Sequence, residues 1–396
     1  MTLLTQWRTN KVQRRFWTVV KNAFNSLLLP IFNVVVSFLV IRRASVDLWG
    51  AFVNVMIVVQ LAAHVVGWGN KEYLLRAFSQ SPATIGRAWL SSLWTRLTLL
   101  ALLSVAAWFW GFASGRTLLI IGWGLGQVLV QSYDVLVLYR RDFLYAAALE
   151  LVGLAVMAGV VVWQGPATTL DTLLALFCGV HLAQAAAFAW RFRRDTFLAG
   201  GGRLDWGYYR LAFPFFLLGL SGMLQSRADL YAVNFYLMPA KVGQYQVFIN
   251  LMLYAQSVSA FVLMPFVKTL YRLQTRAILK IAARLFALGL LLVGPFLLMA
   301  HLALVYLYQF QLPLLMLLLG GLFILPIYAY LPAIYALYKN NRQTAVVSVN
   351  VLGIAANFGL NMLLLPRVGM VGAIAASAAA QWLMLVVYGG WVRYEV

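Results

Sequence analysis

Acidic residues are scarce in this 396-residue chain, with ten Asp and Glu against thirty Lys and Arg and a formal net charge of +20. Charge of either sign occupies only 10% of the positions, 63% are apolar, and the mean hydropathy is +0.85. A soluble domain devotes about a quarter of its residues to charge, so this composition leaves the bilayer as the solvent. The single cysteine, Cys178, excludes an intrachain disulfide and offers no cluster for zinc or redox chemistry. Only three histidines occur, and His64, His181 and His301 fall on separate apolar stretches. Each reads as a packed or hydrogen-bonded interior residue rather than a metal ligand, although an imidazole can titrate near neutral pH. The chain lacks a glycine-rich phosphate loop with its Lys-Ser/Thr ending, which argues against ATP hydrolysis. Gly122-Trp123-Gly124-Leu125-Gly126 is too short for a dinucleotide fingerprint and lies in an apolar stretch. No catalytic residue, metal site or cofactor is expected.

Long apolar runs, by contrast, are abundant. A helix needs about 20 apolar residues to cross the hydrocarbon layer. Twelve stretches qualify: 16–41, 49–69, 89–110, 117–138, 143–163, 172–190, 209–237, 243–266, 282–304, 312–337, 344–365 and 370–391. Continuous apolar sequence at this density makes strands an unlikely reading, and the expected class is an all-α polytopic membrane protein. The first run is too long for the core of a cleavable signal and lacks a small-residue cleavage site behind it, so it is expected to remain as the first span.

Basic residues alternate between the gaps. Arg8, Lys11, Arg14 and Arg15 precede the first span, which by the positive-inside rule places the N-terminus in the cytoplasm. Every second gap is then basic: Lys71, Arg76 and Arg87; Arg140 and Arg141; Arg191, Arg193, Arg194 and Arg203; Lys268, Arg272, Arg276 and Lys280; Lys339 and Arg342. The outer gaps hold only Arg42, Arg43, Arg116, Lys241 and Arg367. An even number of spans returns the C-terminus, with Arg393, to the cytoplasm. Retention of loops beside anionic headgroups accounts for most of the positive charge, and no nucleic-acid partner is needed.

The run Ala199-Gly200-Gly201-Gly202-Arg203 separates six spans from six and reads as a flexible cytoplasmic linker. The expected organisation is an N-terminal six-helix lobe at 1–198, a linker at 199–208 and a C-terminal six-helix lobe at 209–396. Gly50-Ala51-Phe52-Val53-Asn54 and Gly243-Gln244-Tyr245-Gln246-Val247 open spans two and eight at equivalent places, a weak repeat signal. An even span count per half makes such a repeat parallel, with the substrate path between lobes. Prolines inside spans, at Pro30, Pro214, Pro265, Pro326 and Pro332, fit bent helices, either as plain kinks or as gating points. Trp49, Trp68, Trp108, Trp110, Trp163 and Trp391 lie near span ends and read as interfacial anchors. The small residues of span twelve, Gly372 to Ala380, read as a face for close helix packing.

Charges inside spans carry most of the functional information. A central Arg, Lys or Asp costs about 2.5–3.5 kcal/mol on the insertion scale, so such residues face a cavity or a partner. Span seven holds Arg227 and Asp229, span one Lys21, span four Asp134 and span five Glu150. Arg96, Arg210 and Arg284 lie within about two turns of cytoplasmic span ends and are expected to snorkel out. Arg227 and Asp229, two residues apart, point to different sides of a helix, so at least one meets something else. A guanidinium fork suits a phosphate at any working pH, and Lys21 would add a compact cation; structural pairing and snorkelling are the competing readings. Asp134 and Glu150 flank one cytoplasmic hairpin and could meet each other or Arg140 and Arg141. They and Asp229 are candidates for ion coupling, with a structural ion pair as the competing reading. Asn25, Asn33, Gln60, Asn234, Asn250 and Gln256 add neutral polar groups to spans one, two, seven and eight, the expected cavity walls.

Arg42-Arg43-Ala44-Ser45-Val46-Asp47-Leu48-Trp49-Gly50-Ala51-Phe52, followed by Trp68-Gly69-Asn70-Lys71-Glu72-Tyr73-Leu74-Leu75-Arg76, resembles the first hairpin of Wzx-type polysaccharide flippases. A looser likeness joins Arg227-Ala228-Asp229 to Val242-Gly243-Gln244-Tyr245. The glycine-aromatic turn is shared across the larger multidrug/oligosaccharidyl-lipid/polysaccharide exporter superfamily. The resemblance implies a V-shaped transporter in the bacterial cytoplasmic (inner) membrane. It would move a polyprenyl-pyrophosphate oligosaccharide to the outer leaflet, with the polysaccharide polymerase machinery as a partner. Family cavities are cationic, a trait that Arg227 and Lys21 share. An ion-coupled multidrug exporter of the same superfamily is the alternative, since it would share the topology. A polymerase or ligase would need catalytic groups in the outer loops, which are short and carry none.

Overall fold

The computed structural model describes residues 28, 30–109, 114–197, 201–263, 266 and 270–394, and among them there are helices and no strand. Helix α1 covers 30–43. It is followed by α2 (Val46–Gly67), α3 (Asn70–Gln80), α4 (Ile85–Phe109), α5 (Gly115–Arg140), α6 (Phe143–Gln164) and α7 (Leu170–Arg191). Then come α8 (Gly207–Tyr236), α9 (Pro239–Leu263), α10 (Thr275–Leu302), α11 (Leu314–Lys339), α12 (Gln343–Val368) and α13 (Met370–Tyr394). Ten candidate spans are long and apolar enough to cross a membrane among the described residues. The chain is therefore a multi-pass membrane protein. Helix α8 has 30 residues, ample length, but it carries Arg210, Arg227 and Asp229 and is not among those ten. The expected spans from the second onward each coincide with one helix.

The segment expected as a basic loop at 70–88 is largely helical. Its α3 presents Lys71, Glu72 and Arg76 outward and buries Asn70, Leu74 and Phe78. Polar and apolar faces cancel in a hydropathy window, which hid the helix. It is set off from α2 by positive φ at Trp68 (44°) and Gly69 (65°). A side chain on Gly69 would lie 2.7 Å from the Phe216 backbone nitrogen, so the bend accepts only glycine there.

The chain forms two compact units, one of residues 1–44 and 58–216, the other of 45–57 and 217–396. Helices α2 and α8 each contribute to both. In the first unit α5 packs along α7. Gly122 and Gly126 allow the close approach, because a Cβ on them would lie 2.6 Å from Cys178 Sγ and 2.9 Å from His181 Cβ. The glycine run of α5 is thus a helix crossing. Trp89, Leu93, Tyr133, Leu136, Phe188 and Phe192 form the core at its basic end. The described part of the presumed flexible linker lies against α4. Arg203 N–H donates to Ser91 Oγ (3.1 Å) and Asp205 N–H to Thr95 Oγ1 (2.9 Å), while a Cβ on Gly202 would meet Leu90 Cβ at 2.4 Å. Here glycine serves contact instead of looseness.

In the second unit α11 packs against α13, α10 and α9. Ala373, Ala376, Ser377 and Ala380 are buried, as the small-residue pattern of α13 requires. Where α2 and α9 begin, two glycines meet. A Cβ on Gly50 would fall 1.7 Å from Pro239 O, and one on Gly243 would fall 2.9 Å from Val46 O. Trp49, expected as an anchor, is buried and donates its indole N–H to Gln246 Oε1 (3.0 Å). Trp68 stacks on Phe216 at 4.0 Å and bonds Tyr209 O. Trp108, Trp163 and Trp391 are exposed, in keeping with anchors, and Trp110 lies outside the described residues. Pro214, Pro295, Pro326, Pro332 and Pro366 sit inside helices, whereas Pro265 is outside the described residues.

Candidate functional site

Residues two apart on a helix project about 200° from one another. Arg227 and Asp229 of α8 accordingly reach different partners within the second unit. The Arg227 Nη1 donates to Asn250 Oδ1 on α9 at 2.7 Å. Asp229 is buried, and its Oδ1 accepts the Leu230 N–H at 2.8 Å. Its Oδ2 accepts the Tyr245 hydroxyl at 2.5 Å and the Ser377 hydroxyl at 3.0 Å. Neither residue belongs to an ion pair among the described residues, whose three pairs are Arg116–Asp171, Arg140–Asp195 and Arg191–Asp142.

A polar chain continues from Asp229 into α12. Asn357 Nδ2 donates to Ser377 Oγ at 3.2 Å, and Asn361 Nδ2 donates to the Asn357 carbonyl at 2.9 Å and to its amide oxygen. The Asn361 Oδ1 is buried without a hydrogen-bond donor among the described residues. Further along α12, Asn350 donates to Ser221 Oγ (3.2 Å) and accepts from Tyr388 (3.3 Å). Carboxylate, hydroxyl and amide groups are thus linked in one buried hydrogen-bonded chain across α8, α9, α12 and α13. Sequence reasoning named Asp229 and missed Tyr245, Ser377, Asn357 and Asn361. The signal was present: the two asparagines lie four apart on one face of an apolar helix.

The remaining candidates divide. Asn250 joins Arg227, but Gln256 does not; it is buried and donates to the Phe323 carbonyl at 2.8 Å. Gln60 lies in the first unit, half-buried on α2. Lys21 and Asn25 lie outside the described residues. Among the described residues no group of three His, Cys, Asp or Glu could hold a metal ion.

The first unit has its own intramembrane charges. Asp134 of α5 and Glu150 of α6 are half-buried, and Gln184 of α7 donates to the Leu149 carbonyl, next to Glu150 in the chain, at 3.3 Å. Arg140 and Arg191 are engaged by Asp195 and Asp142. Arg96, expected to snorkel, is wholly buried. Its Nε donates to Ser92 O (3.2 Å) and its Nη2 to Ser132 Oγ (2.9 Å). Ser92 lies one turn away on its own helix and Ser132 on α5, so local partners replace water. His181 has Nδ1 2.8 Å from the Phe177 carbonyl, as an interior histidine should, but His301 is exposed.

Helix count, apolar length and buried polar networks together define an all-helical integral membrane protein. Its fold matches that of a lipid II flippase MurJ in an inward closed conformation, with a TM-score of 0.72 over 96% of this chain and 87% of the other at 12% identity. It also matches an inward-facing multidrug resistance MATE family transporter of the MOP superfamily, with a TM-score of 0.65 over 96% and 98% at 12% identity. No family model and no curated protein matches the chain by sequence.

Proposed function

We propose that this chain is a flippase that moves a polyprenyl-pyrophosphate-linked oligosaccharide from the cytoplasmic to the outer leaflet by alternating access. The observation that carries this reading is Arg227, a guanidinium in a membrane helix whose partner is a neutral amide, Asn250. It belongs to no ion pair among the described residues, and a forked guanidinium held only by an amide favours a phosphate-bearing ligand. The fold shared with a lipid II flippase supports the same class of cargo. Lys21, Asn25 and Gln60 complete the proposed substrate path. The proposed lobes are 1–198 and 209–396, in a bacterial cytoplasmic membrane with both termini inside and a polysaccharide polymerase as partner.

Asp229, with Ser377, Asn357 and Asn361, is the proposed coupling site for a proton or sodium ion, and Asp134 with Glu150 is a second one. This buried carboxylate network also favours the second reading, an ion-coupled exporter of cationic compounds, which the MATE-like fold supports equally. Binding separates the two. Purified protein should bind a polyprenyl-pyrophosphate oligosaccharide saturably and more weakly as salt rises, and Arg227→Ala should bind it at least about tenfold more weakly. Binding of a lipophilic cation alone would establish the exporter instead.

A further inference from the structure

We propose that the seam between α6 and α7 is a binding site for an anionic phospholipid, separate from the transport site. The basic ends of α5, α6 and α7 enclose a cavity of about 640 Å³ lined by Arg140, Arg141, Arg191, Arg193 and Arg194. Two carboxylates, Asp142 and Asp195, also line it. They hold Arg191 (2.8 Å) and Arg140 in ion pairs, fixing the guanidiniums in place. Five cations against two anions leave an excess of three positive charges. Arg141 and Arg194 are exposed and take part in no ion pair among the described residues. Forked donors around a cavity of this kind match a phosphate.

The surroundings specify a lipid phosphate. Trp190, on the rim, is exposed and carries Arg193 over its ring at 3.9 Å, an arrangement suited to the headgroup layer. Along the same two helices runs an apolar groove of about 290 Å³, lined by Leu149, Val152 and Val156 of α6 and by Leu176, Gly179 and Ala183 of α7. Tyr145 lines the basic cavity and ties the helices together by donating to the Ala187 carbonyl at 3.0 Å. Val156 lies roughly 16 Å farther along α6, about the reach of an acyl chain into one leaflet. Headgroup cavity and chain groove are therefore in line, with charge at the basic end only. Basic pockets at the ends of membrane helices are where acidic lipids bind most selectively.

The test uses the full-length protein, delipidated in detergent and titrated with dioleoyl phosphatidylglycerol or dioleoyl phosphatidylcholine under native mass spectrometry. Phosphatidylglycerol should bind at least about tenfold tighter, and the double variant Arg141→Asn, Arg194→Gln should weaken it about thirty-fold by removing two surface cations. Both substitutions leave the ion pairs intact, and Asn tolerates the positive φ of 60° at position 141. Gly179→Phe should also weaken binding, because a Cβ there meets nothing within 4 Å and the ring would fill the groove. Equal affinity for the two lipids, or an unchanged preference in the double variant, overturns the site. Full competition by inorganic phosphate, together with no effect of Gly179→Phe, also overturns it, in favour of a free-anion pocket.

Discussion

Arg96 in the first unit and Arg227 in the second are both guanidiniums within membrane helices, both outside any ion pair among the described residues, yet their surroundings differ. Arg96 is wholly buried, and its bonds run to a carbonyl on its own helix and to a serine on α5. Arg227 is half-buried and is held by one side-chain amide. A cation closed in on all sides serves packing, because no ligand can reach it. One that keeps open surface retains the capacity to bind. The carboxylates show the reverse arrangement. Asp229 in the second unit is enclosed by hydroxyl and backbone amide donors, whereas Asp134 and Glu150 in the first are half-buried.

The largest expected effect concerns the crossing of α2 and α9 in the second unit. Gly50→Ala places a methyl group 1.7 Å from Pro239 O, a backbone atom that cannot swing away, and no monodisperse protein should be recovered by size-exclusion chromatography. Wild-type yield would show that α2 and α9 separate readily. Next, Arg96→Ala should lower stability by about 2–4 kcal/mol through loss of a large buried side chain, while Arg96→Met, which keeps the volume, should cost less than about 1.5 kcal/mol. Thermal unfolding in detergent reads both. Equal losses in the two variants would mean that the charge of Arg96 matters and would dissolve its contrast with Arg227.

Asp229→Asn weakens two hydroxyl bonds to a charged acceptor, so it should cost about 1–3 kcal/mol and abolish the dependence of transport on a proton or sodium gradient. Asp134→Asn should alter that dependence less. Gradient dependence that survives in both would remove ion coupling from these carboxylates. The smallest effect is expected at Arg191→Gln, whose exposed guanidinium pairs with a partly covered Asp142: less than about 1 kcal/mol in the same unfolding assay.

The span pattern could be read from the chain because transfer into hydrocarbon is nearly additive over neighbouring residues. Helix α8 was found this way despite its charges, through its length, and α3 was lost because its two faces cancel. The site was harder to read. Arg227, Asp229 and Asn250 stood out as polar groups in apolar runs. Ser377 and Asn361 did not, since an uncharged polar residue in a membrane helix becomes informative only beside its neighbours. Arg96 misled for a related reason: proximity to a span end permits snorkelling, but the serines that retained it lie on a different turn and a different helix.

The sequence by itself determined the solvent, the apolar spans from the second onward, and the bias of positive charge to alternate gaps, because each depends on local composition. Tertiary structure alone decided which intramembrane charges are enclosed and which stay open. It also decided that Gly50 meets Pro239, and that a basic cavity continues into an apolar groove. Those outcomes depend on side chains brought together from separate helices, and the free energy of a buried charge is set by the few atoms within hydrogen-bond reach of it.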